Sequence, residues 1–432
     1  MESNKKNILI YPAGSESAIN IYNALKYNIH FNVFGASMKD NHSTFIYDKE
    51  HYCEGEFSIN NEYFFEEFNK MLTEFNIDYI ICTHDEVITF LMQNQDKIKA
   101  TVCCSPVETV EIAYDKKKTY EVFEGYDFNP QIYSKVDEVE YPVFLKPRHG
   151  AGGKGTAIAK NENELIRKIE EKNNLVMCEY LPGEEYTIDC FTNKDGMLKF
   201  CYARTRERIT NGISYRSRKV EDNTEFEKIA NEINNKLKFR GAWFFQLKAD
   251  KNNKLKLLEI CVRQAGTMIY FREYGFNFPA LTIFDFMNQD IMPIMNNVNL
   301  VLDRCIHNSF KMDYEYEHIY IDFDDTLIIN NKVNSTAMKF IYQALNENKK
   351  IYLITKHAKD IINSLKEYRI DKNIFFEIIH LKSEEKKVDV ICKEKSIFID
   401  NYFKERYEVY SQLNIPVFDV DAIECLIDDS KI

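Results

Sequence analysis

The chain has 432 residues, of which 45% are hydrophobic and 29% are charged, so it can build the cores of about two or three domains. Its formal net charge of −12 argues against nucleic acid and anionic membranes as partners, because both are bound through positively charged surfaces. No apolar stretch reaches the length of a membrane span, and the polar first residues do not resemble a signal peptide, so we expect a cytoplasmic protein. The eleven cysteines lack C-x-x-C pairs, and we expect them to be reduced.

Residues 1–112 show strands that alternate with helices. Apolar runs predict strands over 7–11, 31–35 and 77–83, and helical periodicity falls between them. Such alternation is typical of a parallel sheet with crossover helices, so we predict a Rossmann-like α/β domain. Its first turn contains Gly14 but no G-x-G-x-x-G spacing, and dinucleotide binding is therefore not indicated.

Residues 113–305 predict an α+β domain with a glycine-rich turn. A strand over 143–147 carries Lys146 near its end, and the turn over 149–156 follows it. The lysine would place an ammonium group beside phosphates, and the glycines would let backbone N–H groups approach phosphate oxygens. The order of a Walker A motif is absent. Taken alone, the turn is equally compatible with an ordinary β-hairpin.

Two later segments add groups that suit a nucleotide and a metal ion. A buried strand ends near Glu179, Tyr180 and Leu181, whose backbone could meet an adenine edge, and Glu185 could bind ribose hydroxyls. Gln246 and Glu259 lie on adjacent predicted strands joined by the turn 250–254. Oxygen ligands on neighbouring strands suit Mg²⁺, which is usually held by few protein groups together with phosphates.

In this order, the motifs of residues 5–300 resemble ATP-grasp enzymes of the carbamoyl-phosphate-synthase-like group. The resemblance implies a pre-ATP-grasp domain followed by an ATP-grasp fold, with ATP and Mg²⁺ as cofactors and a carboxylate and an amine or related nucleophile as substrates. It implies phosphate-side roles for Lys116 and Lys146, and Arg263 corresponds to the family's anion-binding turn. It also implies a loop over the phosphates that contains Gly152, Gly153 and Lys154, and an adenine hinge formed by Glu179, Tyr180 and Leu181. It further implies Glu185 as the ribose ligand and Gln246 and Glu259 as two metal positions.

Two positions depart from the family pattern. Cys261 stands where asparagine is usual, and Gln246 stands where an acidic ligand is common. A thiol is a poor partner for Mg²⁺, so a nucleotide-binding region without catalysis stays open as an alternative.

A dense basic segment lies between Arg204 and Lys219 in this acidic chain. It also contains Arg206, Arg208, Arg216 and Arg218. Arginine binds carboxylate and phosphate bidentately, although a solvated basic hairpin would have the same composition. Because the family places an anionic substrate near this loop, the resemblance implies a substrate with more than one negative charge.

Residues 314–432 predict a third, α/β domain. A strand over 318–323 delivers Asp322 and Asp324 in the order D-x-D-x-T, which resembles the first motif of the haloacid-dehalogenase (HAD) superfamily. The resemblance implies a Rossmannoid HAD-like phosphatase in which Asp322 is the nucleophile and Asp324 the general acid and base. Further along the chain, it implies a phosphate-binding Thr355, a cationic Lys387 (or Lys382) and Mg²⁺ ligands Asp322, Asp324 and Asp400. About thirty residues separate the first two motifs, which leaves no room for a large cap.

The leading interpretation is an ATP-dependent carboxylate–amine ligase, acting through an acyl phosphate, fused to a phosphatase that removes phosphate from a substrate or product. The alternatives are a phosphatase whose first region only senses ATP, and a scaffold that binds a phosphorylated partner. The sequence leaves the oligomeric state open, with a homodimer among the options.

Overall fold

The computed structural model describes residues 5–38, 41–150, 152–172, 174–210, 212–292, 294–305, 308–392 and 394–431. The chain forms two compact units, the first over residues 1–44 and 49–306 and the second over residues 45–48 and 307–432. The first unit contains both of the first two predicted domains, and a division at residue 112 stays a prediction.

The first unit begins with a parallel sheet of five strands in the order β3-β2-β1-β4-β5, a doubly wound arrangement that agrees with the Rossmann-like prediction. Its central strand, β1, is apolar along most of its length, as expected for a strand covered on both faces. The strands are β1 (Lys6–Tyr11), β2 (Phe31–Ser37), β3 (Tyr52–Glu54), β4 (Tyr79–Cys82) and β5 (Thr101–Val102). The helices are α1 (Glu16–Leu25), α2 (Phe64–Glu74), α3 (Asp85–Gln93) and α4 (Val107–Tyr114).

An antiparallel sheet in the order β6-β9-β7-β8 follows, and the glycine-rich turn joins β7 to β8. Asp115 caps the helix that starts at the next residue by accepting hydrogen bonds from the backbone N–H groups of Lys117 and Lys118. The elements are α5 (Lys116–Val122), β6 (Ile132–Tyr133), β7 (Val143–Pro147), β8 (Ala157–Ala159), α6 (Glu162–Glu171) and β9 (Leu175–Glu179).

The core of the first unit continues in a second antiparallel sheet, ordered β11-β10-β14-β15, beside a small sheet ordered β12-β13-β16. Trp243 and Phe245, which lie two positions apart on one strand, are both completely buried. The elements are β10 (Glu185–Thr192), β11 (Leu198–Thr205), β12 (Arg208–Thr210), β13 (Ile213–Ser217), α7 (Thr224–Lys236), β14 (Gly241–Ala249), β15 (Leu255–Cys261), α8 (Ile269–Arg272), α9 (Phe278–Phe286) and β16 (Leu302–Asp303).

The second unit is built on a parallel sheet of five strands in the order β21-β20-β17-β22-β23. Between Asp322 and Thr355 the chain forms only a short hairpin and one helix, as its length predicts. The elements are β17 (His318–Ile321), β18 (Ile328–Ile329), β19 (Lys332–Val333), α10 (Ser335–Asn346), β20 (Lys350–Thr355), α11 (Ile361–Glu367), β21 (Glu377–His380), β22 (Ser396–Ile399), α12 (Phe403–Leu413) and β23 (Val417–Phe418).

Across the described ranges, no helix combines the length and the apolar character needed to cross a membrane. All eleven cysteines are free thiols. Five of them are buried, and Cys305 and Cys392 are exposed.

Candidate functional site

A cavity of about 600 Å³ in the first unit brings together the residues that the sequence assigned to a nucleotide and its metal ion. They come from the ends of β7 and β9, from the glycine-rich turn and from the neighbouring strands β14 and β15. Ala151 of that turn lies outside the described residues. The predicted residues that line the cavity are Lys116, Lys146, Gly152, Gly153, Lys154, Glu179, Tyr180, Leu181, Glu185, Gln246, Glu259 and Arg263.

Both predicted phosphate-side lysines are fixed by neighbouring acceptors. Nζ of Lys116 donates to the carbonyl oxygen of Gly150 at 2.7 Å and lies 3.7 Å from Oε2 of Glu259. Nζ of the buried Lys146 donates to the carbonyl oxygen of Leu258 at 3.0 Å and to the Tyr120 hydroxyl. An ammonium group has three donors, so each lysine keeps donor capacity for an anion in the cavity.

The predicted metal ligands lie directly opposite each other, because Gln246 of β14 pairs with Glu259 of β15. One amide oxygen and one carboxylate form an oxygen donor set that fits Mg²⁺ when phosphate oxygens complete the coordination. Cys261 is buried, and burial raises the pKa of its thiol well above the ordinary value. The thiol packs in an apolar cluster with Phe244, and a thiol is a poor ligand for Mg²⁺.

Sequence reasoning missed the residues that hold Arg263. Its Nε and Nη2 atoms each lie 2.9 Å from a carboxylate oxygen of Asp85, at the start of α3. His84, at the turn after β4, and Ser15, at the turn after β1, line the same cavity. Ligands of open α/β sheets bind beside the carboxyl ends of strands where the strand order reverses, and β1 and β4 are the strands at that point. Sheet order was therefore the signal that could have found them.

The carboxylate of Glu185, the predicted ribose ligand, already has two cationic neighbours. Its Oε1 atom lies 2.7 Å from Nε of Arg206, and its Oε2 atom lies 3.8 Å from Nζ of Lys248. Any ribose contact by Glu185 would thus share the carboxylate with Arg206, which the sequence interpretation did not anticipate.

Arginines of the basic segment pair with carboxylates. Arg208 and Arg216 both pair with Asp303 at 2.5 Å, and Arg218 pairs with Glu207 at 3.1 Å. These pairs join strands β12, β13 and β16, so the charges chiefly hold the small sheet together. Arg204, Arg206 and Arg304 remain as arginines of this region that line the cavity.

Comparisons with known proteins agree with this architecture. Residues 112–182 match a family model for the carbamoyl-phosphate synthase L chain ATP-binding domain, and residues 171–301 match one for an ATP-grasp protein in the biosynthetic pathway with Ter operon. The biotin carboxylase domain of Hydrogenobacter thermophilus 2-oxoglutarate carboxylase superposes with a TM-score of 0.57 at 18% identity, over 68% of this chain and 73% of that one. Staphylococcus aureus N5-carboxyaminoimidazole synthetase, solved with ADP, gives 0.56 at 15% identity, over 70% and 82%. The first unit has an ATP-grasp fold.

Curated relatives share this ATP-grasp region at low identity. Phosphoribosylamine–glycine ligase of Fusobacterium nucleatum is 24% identical over 209 residues, which are 42% of this chain and 45% of that protein. The arginine-specific carbamoyl phosphate synthase large chain of Halalkalibacterium halodurans is 29% identical over 92 residues, which are 20% of this chain and 8% of that protein. The chain thus spans less than half the length of either relative.

A fully buried ion pair lies beneath the ATP-grasp cavity. Nε and Nη2 of Arg204 on β11 lie 2.7 and 3.2 Å from the carboxylate oxygens of Asp189 on β10. Among the described residues, Nη1 of Arg204 has no hydrogen-bond partner. Arg204 is also one of the residues that line the cavity.

Replacing Arg204 with alanine is expected to lower the free energy of unfolding by about 3–5 kcal/mol, because Asp189 would be left as an unpaired buried charge. Chemical denaturation measures the change. The control is Arg218→Ala, whose pair with Glu207 is exposed and should be worth less than about 1 kcal/mol. Equal effects of the two substitutions would contradict the prediction.

Two loops of the ATP-grasp unit meet over the cavity at glycines. A Cβ atom on Gly212, whose φ is +75°, would lie 2.6 Å from the backbone of Gly152. Both residues line the cavity, so the hairpin β12–β13 and the phosphate-side turn approach each other as closely as backbones permit.

Gly212→Ala is therefore expected to weaken Mg-ADP binding about ten-fold, because the added Cβ atom would keep the two loops apart. A ten-fold loss of affinity corresponds to about 1.4 kcal/mol. Titration calorimetry measures the affinity. Gly196→Ala is the matched control, because Gly196 has a φ of +78° with no atom within 4 Å of the added Cβ. Identical affinities of the two variants would show that the contact has no role.

The second unit gathers its predicted residues at the carboxyl edge of its sheet. Asp322, Thr355 and Asp400 stand at the ends of the neighbouring strands β17, β20 and β22. Nζ of Lys387 lies 2.8 Å from Oδ1 of Asp322 and donates to Oδ2 of Asp400 at 2.6 Å. Lys387, and not Lys382, is thus the cation beside these carboxylates. Nearby, Glu405 pairs with Lys356 at 2.7 Å.

The charges of this cluster do not balance. Burial raises the pKa of Asp322 and that of Asp400 above their ordinary values, and Lys387 opposes both rises. Burial alone would lower the pKa of Lys387, but the two carboxylates raise it. Two carboxylates thus share one ammonium group, and Oδ1 of Asp322 accepts no aligned hydrogen bond from the described residues. An additional cation such as Mg²⁺ fits this donor set.

Asp324 pairs with a residue outside this cluster. Its side chain is 53% exposed, and both carboxylate oxygens lie 2.9 Å from Nδ1 of His357. His357 follows Thr355 by two residues, and its backbone N–H donates to the threonine hydroxyl at 3.2 Å. The structure thus pairs His357 with the predicted general acid.

Proposed function

We propose that the first unit is an ATP- and Mg²⁺-dependent ligase that joins a carboxylate to an amine or related nucleophile through an acyl phosphate. The observation that carries the proposal is the single cavity that collects both lysines, the hinge after β9, the opposed Gln246 and Glu259, and Arg263. The ATP-grasp fold and the names of its relatives, several of which are ligases or synthetases, support it.

Each group in the cavity has a role in this reaction. The backbone around Tyr180 and Leu181 would meet the adenine edge, and Lys116 and Lys146 would neutralise the phosphates. A substrate carboxylate oxygen attacks the γ-phosphorus, the bond to the bridging oxygen breaks, and ADP leaves. The nucleophile then attacks the acyl carbon and phosphate leaves. Mg²⁺ held by Gln246 and Glu259 would supply further neutralisation of the phosphate charge.

The acceptor end of the cavity is lined by residues that suit anions. Arg263 and Arg304 contribute guanidinium groups there, beside Gly266 and the start of α1. Burial lowers the pKa of His84 in the same wall, so its imidazole adds no positive charge near neutral pH. The guanidinium groups in this wall favour an anionic carboxylate substrate.

A specific cluster favours a second activity, a phosphatase in the second unit. In the HAD-like scheme, Asp322 attacks phosphorus, the ester oxygen leaves with a proton from Asp324, and an aspartyl phosphate remains. Water then attacks phosphorus, its proton returns to Asp324, and inorganic phosphate leaves. Lys387 and Thr355 would hold phosphate oxygens, and Mg²⁺ beside Asp322 and Asp400 would supply charge neutralisation. The Asp322–Lys387–Asp400 cluster supports this proposal.

The two activities can be separated by using the Asp322→Asn protein. Incubated with Mg-ATP and a small-molecule extract of its source cells, it is expected to form ADP and a phosphorylated conjugate, detected by mass spectrometry. Adding wild-type protein should then dephosphorylate the conjugate. Untouched ATP, together with phosphate release by wild type, would instead favour an ATP-sensing phosphatase. The same final product from both proteins would exclude the proposed coupling.

A further inference from the structure

Helix α12 of the second unit is apolar on two of its sides. Val409 is completely buried, and Leu413 packs against the same apolar cluster of that unit. Away from that cluster, Phe403, Tyr407 and Tyr410 are 68%, 60% and 54% exposed. Residues that are three, four and seven positions apart lie on one stripe of a helix, and we call this stripe the aromatic face. The outer side of a surface helix normally carries charged and polar residues, so an aromatic stripe there indicates a surface that a partner covers.

The aromatic face is large enough to form the core of a protein interface. The rings of Phe403 and Tyr407 stack with their centroids 6.0 Å apart and their planes at 24°. At about 200 Å² for each aromatic side chain, the exposed fractions of the three residues amount to roughly 400 Å². Apolar patches of about 300–600 Å² are the largest on a typical soluble monomer, and they are often interaction sites.

The charges around the aromatic face balance. The helix contains two acidic and two basic residues, Glu405, Glu408, Lys404 and Arg406. The two glutamates pair with Lys356 and Lys386, and Arg406 pairs with Asp419. Side chains that are already paired in this way attract neither a strongly basic nor a strongly acidic partner. A second copy of this chain, with its formal net charge of −12, would be repelled by an acidic surface but not by this balanced one.

We infer that the aromatic face of α12 binds the same face of a second copy of this chain, and that the two helices cross at Tyr407 on a two-fold axis. A two-fold axis places the same patch on both partners, so the face covers itself. Tyr407 is the middle residue of the stripe, and its two copies therefore meet at the axis, with Phe403 and Tyr410 on either side. The face supplies about half of the roughly 800 Å² that each partner buries in an interface of standard size, and the paired charges form the polar rim. Dimer formation through this face does not depend on either proposed activity.

The first test measures the oligomeric state of the full-length chain by sedimentation velocity. At about 50 µM the wild type is expected to be a dimer, because interfaces of standard size have dissociation constants of about 1 µM or below. Tyr407→Glu is expected to raise the dissociation constant by at least about 100-fold, because two like charges would meet at the axis. Circular dichroism checks that the variant is folded.

Tyr342→Glu is the matched control. Tyr342 lies on α10 and is 53% exposed, but the exposed residues one turn away from it, Lys339 and Asn346, are polar. This variant should dimerise as the wild type does. A monomeric wild type would overturn the inference and leave the aromatic face to a different protein. A dimer that Tyr407→Glu leaves unchanged would overturn it as well, because its interface would lie elsewhere.

A second test addresses the two-fold arrangement. Tyr407→Lys alone is expected to be monomeric, for the same reason as Tyr407→Glu. An equal mixture of the two variants should recover the dimer, because a lysine and a glutamate then meet at the axis. A patch that bound a different surface of the second copy would gain nothing from this mixture. If the mixture stayed monomeric, the crossing of the two helices at Tyr407 would be wrong.

Discussion

Replacing Asp322 with asparagine is expected to reduce phosphate-ester hydrolysis by at least about 10³-fold, because an amide cannot form the aspartyl phosphate. The substitution should leave the fold intact. It removes one of two buried carboxylates that share Lys387, so the remaining Lys387–Asp400 pair is balanced. Release of inorganic phosphate from glycerol 2-phosphate and p-nitrophenyl phosphate measures the activity, and a thermal unfolding curve checks the fold.

Asp325→Asn is the matched control for that variant. The residue lies three positions further along, is exposed, and has a φ of 52°, a left-handed conformation that asparagine adopts readily. Its phosphatase activity should equal that of wild type. If Asp322→Asn hydrolysed esters as fast as Asp325→Asn, Asp322 would not be the nucleophile, and the phosphatase proposal would fail with it.

Replacing Glu259 with glutamine is expected to slow ADP formation from Mg-ATP about 100-fold, which corresponds to roughly 3 kcal/mol of lost transition-state stabilisation. Glu259 supplies the carboxylate of the opposed pair with Gln246 and lies 3.7 Å from Lys116. With glutamine at both positions, no protein carboxylate would remain in this pair to hold Mg²⁺. A coupled assay for ADP, run with the small-molecule extract, measures the rate.

Glu184→Gln controls for the loss of a nearby carboxylate. Glu184 is exposed, hydrogen-bonds to the Tyr186 hydroxyl and does not line the cavity, so ADP formation should be unchanged. Phosphate-ester hydrolysis by Glu259→Gln should also equal that of wild type. If Glu259→Gln formed ADP at the wild-type rate, the opposed pair would not be the metal site.

Most strands and the order of the motifs could be predicted from the sequence, because both depend on local patterns. The apolar run over 318–323, for example, became a strand that delivers Asp322 to the carboxyl edge of its sheet. The predicted turn 250–254 placed Gln246 opposite Glu259, since an antiparallel hairpin brings its two strands into register. Short strands such as β3 and β5 escaped prediction because so few residues carry no periodicity.

The sequence by itself determined which chemical groups the motifs carry: two lysines and an oxygen pair in the first unit, and three aspartates with a lysine in the second. Only the tertiary structure decided which partners those groups take. Asp303 neutralises Arg208 and Arg216, Asp85 binds Arg263, and His357 binds Asp324. An ion pair or hydrogen bond needs atoms within about 3 Å, and for residues far apart in the chain that distance depends on sheet order, register and packing, which no local pattern contains.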